Sequence, residues 1–189
     1  MRILITIILA TLSLASSAQT MREILRSAPD TLVTLLTHNN LLDFPDYLDT
    51  QMLAQVRNRL GGNSEMTKLT DDYTFIRVTA VSTLQLKLLP QSKGKVLLSI
   101  YTCNLNDSVA ESRLSFYDTS WKPLPTEQFI KVESEPNVMR QYIASAGDDR
   151  LTVHTFRPFE LSFDTQTVPV SRQTDILLWN KKKFIKQKQ

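Results

Sequence analysis

The spacing of apolar residues changes at Gly62, and that change constrains the fold of this chain more than any other feature. Before it, apolar residues recur at about every fourth position; after it, at every second. Fourfold spacing puts side chains on one face of a helix, and twofold spacing puts them on one face of a strand. A single switch between the two predicts an α+β domain. Its N-terminal helices, residues 20–62, would pack on a mainly antiparallel β-sheet spanning residues 70–186.

Local signals in the helical half support that reading. Thr20-Met21-Arg22-Glu23 matches a capping box, in which Thr20 and Glu23 bond each other's backbone amides. A short helix to about Ser27 would end near Pro29. Asp30-Thr31 would cap a second helix carrying Leu32, Leu35 and Leu36 on one face, with Asn39-Asn40 as its stop. A third helix would start at Asp43 with Pro45 in its first turn, a position where the missing amide is harmless. Leu48, Met52, Val56 and Leu60 continue its stripe, Arg57 and Arg59 suit its last turn, and Gly61-Gly62 can supply a left-handed cap.

Beyond Gly62, residues 75–81, 83–89, 95–104 and 111–117 read as strands. In residues 83–89, Leu84, Leu86 and Leu88 face one way while Gln85 and Lys87 face the other. Short turns between them imply a meander with one solvated face. Prolines 123, 125 and 136 punctuate an irregular crossing, with a short helix expected over residues 137–143. Gly147-Asp148-Asp149 is a turn. Residues 151–156, 159–163 and 175–179 are later strands, the last expected to pair with residues 183–185.

The first eighteen residues predict export. Arg2 precedes an apolar run, and Ala15-Ser16-Ser17-Ala18 ends it with small residues, the pattern of a signal peptide cleaved after Ala18. The run falls short of the roughly 20 apolar residues of a spanning helix. The mature chain, residues 19–189, is expected to be one domain in the periplasm or at the cell surface, with no membrane span. Net charge is only +3, and Lys181, Lys182, Lys183, Lys186 and Lys188 crowd the C-terminus. A nucleic-acid partner is therefore not expected, since it would need a basic face on the fold itself. Cys103 is the only cysteine, so no internal disulfide is possible.

No catalytic motif is present: no nucleophile elbow, no His-Glu-x-x-His helix, no phosphate loop and no dinucleotide fingerprint. His38 and His154 stand far apart in sequence without companions at metal-ligand spacing. No metal or cofactor is expected. Asp71 and Asp72 are candidate binding residues, because paired carboxylates can hold a cation or share a proton; strand-entry turn residues are the plainer reading. Tyr117 and Trp121 are candidate binding aromatics, able to stack on a sugar or anchor a partner if exposed. For Trp121, packing into the core is the plainer reading.

The block Arg59-Leu60-Gly61-Gly62-Asn63-Ser64-Glu65-Met66-Thr67-Lys68-Leu69-Thr70-Asp71-Asp72-Tyr73 resembles an uncharacterised secreted family of Bacteroides-type bacteria, domain-of-unknown-function family 3256. The segments Pro29-Asp30-Thr31-Leu32 through Leu36-Thr37, Leu84 through Leu89, and Phe116 through Leu124 also match its pattern. The resemblance implies a host and a compartment but no activity. It also implies that exported proteins of such a host carry O-glycans at Asp-(Ser/Thr)-apolar triplets. Asp107-Ser108-Val109 and Asp30-Thr31-Leu32 fit, with Ser108 the better acceptor and Thr31 the second. Read physically, the block is a helix-to-sheet hinge, with Ser64 capping a turn.

Three functions remain open. The first is a non-catalytic binding or adaptor protein of the cell envelope, recognising an envelope protein or a glycan. The second is a hydrolase assembled from distant residues, with Asp71 or Asp72 acting on His154. The third is a structural component of an envelope complex.

Overall fold

The computed structural model describes residues 19–106, 109–131, 135, 138–157 and 171–187. The signal segment, Ser108 and the strand expected over 159–163 lie outside the described residues.

The α+β expectation is overturned. The described residues are mainly antiparallel β, in two sheets, with two short α-helices and no N-terminal helical bundle. Helix α1, Met21–Arg26, follows the predicted Thr20–Glu23 capping box. Residues 30–36 form turns instead of a second helix. Helix α2, His38–Asp49, is capped by Thr37 and contains Pro45. Asn40, expected as a stop, instead completes this helix's capping box with Thr37. Past Asp49 the chain turns: Thr50 caps the helix, and Gln51 takes a left-handed φ of 57°. The fourfold stripe therefore breaks, leaving Met52 and Leu60 58% and 72% exposed.

The residues expected to finish that helix begin the first sheet. Strand β1 is Gln55–Arg57, and β2 is Asn63–Leu69. Val56 pairs with Ser64 across a turn organised by buried Asn58. The Asn58 amide oxygen accepts from the Leu60 and Gly62 amides, while its nitrogen donates to Ser64 Oγ and the Val78 carbonyl, both at 3.1 Å. Gly61, at φ +80°, supplies the left-handed step. Ser64 caps no turn; it is fully buried within β2.

The sheet continues through β3 Tyr73–Arg77, β4 Ser82–Pro90, β5 Lys95–Asn104, β6 Ala110–Tyr117 and β7 Pro123–Leu124, each antiparallel to its predecessor. The second sheet is β8 Met139–Ala144, β9 Arg150–Arg157, β10 Ser171–Trp179 and β11 Phe184–Lys186, also in chain order. The helix expected over 137–143 is thus largely β8. The hairpin pairing Trp179 with Phe184 is as predicted.

Both faces of the first sheet are covered at its centre, so the predicted solvated face does not exist there. Leu84, Leu86, Leu88 and Leu97 pack with Met21, Ile24, Leu25, Leu36 and Phe44 in one core. On the opposite face, Leu89, Val96, Leu98, Ile100 and Phe116 pack with Tyr142, Leu151, Val153 and Trp179 of the second sheet. The odd-numbered polar residues of β4 therefore enter the interior: Gln85 is 3% exposed and Lys87 2%. Gln85 Oε1 accepts from the Ala144 amide at 3.1 Å and the Tyr73 hydroxyl at 3.2 Å. Ser112 Oγ accepts from the Tyr142 amide at 3.0 Å. Edge strand β8 thus meets side chains of the first sheet where a further strand would otherwise pair.

Candidate functional site

The inner face of the second sheet extends past the apolar contact between the sheets. Odd-numbered residues of β9 and β10 share that face, so the run from Leu151 and Val153 continues to Thr155 and Arg157, and that from Trp179 and Leu177 back to Asp175 and Gln173. Arg140 and Tyr142 on β8 and Lys186 on β11 complete it. The result is a cleft of about 420 Å³, a size in the usual range for small-ligand sites. Its floor is Ile130, Val153, Leu177 and Phe184. Its wall carries four cationic side chains, Lys131, Arg140, Arg157 and Lys186, against the carboxylates of Glu135 and Asp175.

The carboxylates are engaged. Glu135 spans two arginines, with Oε1 3.6 Å from Arg140 Nη2 and Oε2 3.0 Å from Arg157 Nη2. Asp175 pairs with Lys186 at 2.8 Å. Arg157 Nη1 also donates to Gln173 Oε1 at 3.4 Å. Burial pushes the Tyr142 phenol up, against an opposing effect of Arg140, so it stays protonated at neutral pH. Chemically, the cleft offers donors and positive charge over an apolar floor, suited to recognising an anion rather than to proton transfer.

A second cluster joins the sheets. Lys87 Nζ lies 2.7 Å from Asp72 Oδ2, and Asp149 Oδ1 is 4.0 Å away. Asp72 stands in the β2–β3 turn and Asp149 in the β8–β9 turn. Burial raises the Asp72 carboxyl, but hydrogen bonds from Lys87 and Thr70 with the Lys87 charge outweigh it, leaving Asp72 below its ordinary value. Burial holds Asp149 above its ordinary value, since the Lys87 charge offsets that only in part and Asp72 and Asp148 add to it.

The residues singled out by sequence scatter. Asp72 has the structural role just described. Asp71 is exposed, and its carbonyl accepts from the Met21 amide at 2.7 Å. Trp121, 8% exposed, is a core residue; its indole donates to the Ile24 carbonyl at 3.1 Å. Tyr117 packs beside it, ring centroids 5.5 Å apart, and borders a separate 270 Å³ groove with Thr31. Thr31 is exposed in a turn, not held in a helix. His154 is buried; Thr174 Oγ1 lies 2.9 Å from Nδ1 and Arg172 Nη2 2.6 Å from Nε2. Burial and then the Arg172 charge push its imidazole down toward the neutral form. His154 and Asp72 share no hydrogen-bond or ion-pair partner among the described residues, and they belong to different sheets. No group of three metal-ligating side chains occurs among the described residues. Sequence reading missed the cleft residues Arg140 and Arg157, and saw Lys186 only as one of the C-terminal lysines. Each lies at a strand position that looks like an ordinary solvated charge.

The model of a family described as "Protein of unknown function (DUF3256)" matches residues 13–182. The chain belongs to the DUF3256 family. No curated protein matches it. A solved structure, that of a domain of an uncharacterized protein from Porphyromonas gingivalis, superposes with a TM-score of 0.70. It covers 89% of this chain and 98% of that one at 16% identity, so the likeness concerns the fold. The DUF3256 chain therefore shares its fold with that domain.

Proposed function

We propose that this chain is a non-catalytic, exported binding protein of the bacterial cell envelope, and that the cleft on its second sheet takes a small anionic ligand. The observation carrying the reading is the convergence of Arg140, Arg157 and Lys186 from three strands onto one apolar-floored cleft. The signal-peptide pattern before Gln19 supports export, and the Asp107-Ser108-Val109 triplet supports an O-glycan on Ser108 in the native host. Intact mass of protein from the native envelope tests both; a retained leader, or a bare mature mass, refutes the respective part.

The binding reading is tested by titrating small anions into labelled protein and following backbone amide shifts. Shifts concentrated at Ile130, Lys131, Glu135 and β8–β11 and weakened by salt are expected. No saturable shift with any anion refutes it.

A second reading, a structural part of an envelope assembly, is favoured by the reverse face of the second sheet. Ile143 and Ile176 flank Thr152 in one cross-strand row, with Ile185 nearby, exposed by 37%, 39% and 43% respectively. Loss of a co-purifying envelope protein on Ile176→Lys is expected under this reading; the same partner retained by the variant refutes it.

A further inference from the structure

Glu135 does not belong to the platform it sits on. Arg140 and Arg157 come from adjacent strands of the second sheet, whereas Glu135 comes from the crossing that links the two sheets. Its two oxygens go to two different guanidiniums, 3.6 Å from Arg140 and 3.0 Å from Arg157. A carboxylate brought from outside and shared between two strand arginines occupies a site as a ligand would. Arg140 is only 16% exposed, so its charge is poorly served by water and calls for a fixed anion.

We infer that Glu135 is an internal stand-in, and that the cleft binds a sugar acid whose carboxylate replaces it between Arg140 and Arg157. This inference rests on the anionic-ligand reading above and narrows it. Beside the arginine pair, Gln173 and Thr155 offer neutral donors and acceptors for hydroxyl groups. The apolar floor suits the carbon face of a pyranose ring. The 420 Å³ volume accommodates one or two sugar rings. An acidic peptide would supply the carboxylate but would leave the polar wall without hydroxyl partners.

The test compares D-galacturonate, D-galactose, sulfate and tetra-aspartate by amide-shift titration of the full mature chain. The variants are Glu135→Gln, Asp175→Asn and Arg157→Gln, each first checked for a native spectrum. Asp175→Asn also deletes one negative charge in the cleft, but not the one between the arginines. Galacturonate is expected to bind Glu135→Gln at least fivefold tighter than wild type, to gain less than twofold in Asp175→Asn, and to lose binding in Arg157→Gln. Galactose is expected not to bind. Equal gains in Glu135→Gln and Asp175→Asn reduce the effect to the general field and overturn the stand-in, while anion binding itself stands. Tighter binding of tetra-aspartate or sulfate than of galacturonate overturns the sugar-acid assignment alone. No saturable shift from any anion in wild type or Glu135→Gln overturns this inference together with the reading beneath it.

Discussion

Replacing Asp72 by Asn should destabilise the protein far more than replacing Lys87 by Met. Lys87 is 2% exposed, and its ammonium is held by Asp72 at 2.7 Å with Asp149 at 4.0 Å. Stripping one partner from a fully buried pair costs about 3–5 kcal/mol, because the remaining charge stays desolvated. Two features lower that figure. The Asp72 side chain is 42% exposed, so water can reach the vacated position, and Asp149 keeps a share of the attraction. The expected loss for Asp72→Asn is therefore about 1.5–3 kcal/mol. Lys87→Met removes the buried charge itself and keeps most of the volume, and the Asp72 and Asp149 side chains it leaves behind are 42% and 37% exposed and can be hydrated, so it should stay within about 1 kcal/mol of wild type. With a urea slope of about 2 kcal/mol per molar, Asp72→Asn should lower the unfolding midpoint by about 1 M and Lys87→Met by under about 0.5 M. The double variant should resemble Lys87→Met, giving a coupling energy of about 1.5–3 kcal/mol in magnitude.

A pH series adds a sign. Asp72 sits below its ordinary value when folded, so its stabilisation is present above about pH 4 and lost as pH falls through the folded value. The gap between wild type and Asp72→Asn should close in that acid range. Equal midpoint losses in the two single variants, or a gap that does not narrow as pH falls below about 4, would refute the account of a desolvated lysine.

Asp149 has the opposite sign. Its carboxyl sits above the ordinary value when folded, so the ionised form costs stability at neutral pH. Asp149→Asn should raise the stability at pH 7 by under roughly 1 kcal/mol, an amount limited by solvent screening, and the gain should vanish below about pH 4 in the same urea titration. Gln85→Leu strips the acceptor from the Ala144 amide and the Tyr73 hydroxyl, and should cost about 2–4 kcal/mol, with faster hydrogen exchange at the Ala144 amide as the local readout. Trp121→Phe forfeits the bond to the Ile24 carbonyl and part of the packing, costing about 1–2 kcal/mol by thermal unfolding; Trp121→Ala should cost about 3–5 kcal/mol.

The strand half was legible because its periodicity is local. Leu84, Leu86 and Leu88 do share a face, and consecutive strands pair in chain order. The helical half misled for an equally local reason. Leu48, Met52, Val56 and Leu60 repeat at helical spacing, yet Val56 gains more by pairing beside Ser64 in a hairpin closed through Asn58 and Gly61. The four-residue repeat is then a coincidence of spacing, and two of its members face solvent. Trp121 illustrates a different gap: an aromatic in a turn segment is readable as packed or exposed, and what packs on it is known only once α1 is seen to cover it. The cleft was illegible throughout, because Glu135, Arg140, Arg157 and Lys186 are spread over four segments that only sheet pairing brings together.

Sequence alone determined the Thr20–Glu23 cap, the strand alternation, the antiparallel meander of the central strands and the hairpin joining Trp179 to Phe184. Each depends on residues a few positions apart, where backbone geometry leaves few choices. Tertiary structure alone decided where α2 ends, what covers the second face of β4, why Lys87 needs a carboxylate, and which charges meet in the cleft. Those outcomes depend on which surfaces are removed from water together, and a period of two or four records the face of a residue without recording what lies opposite it.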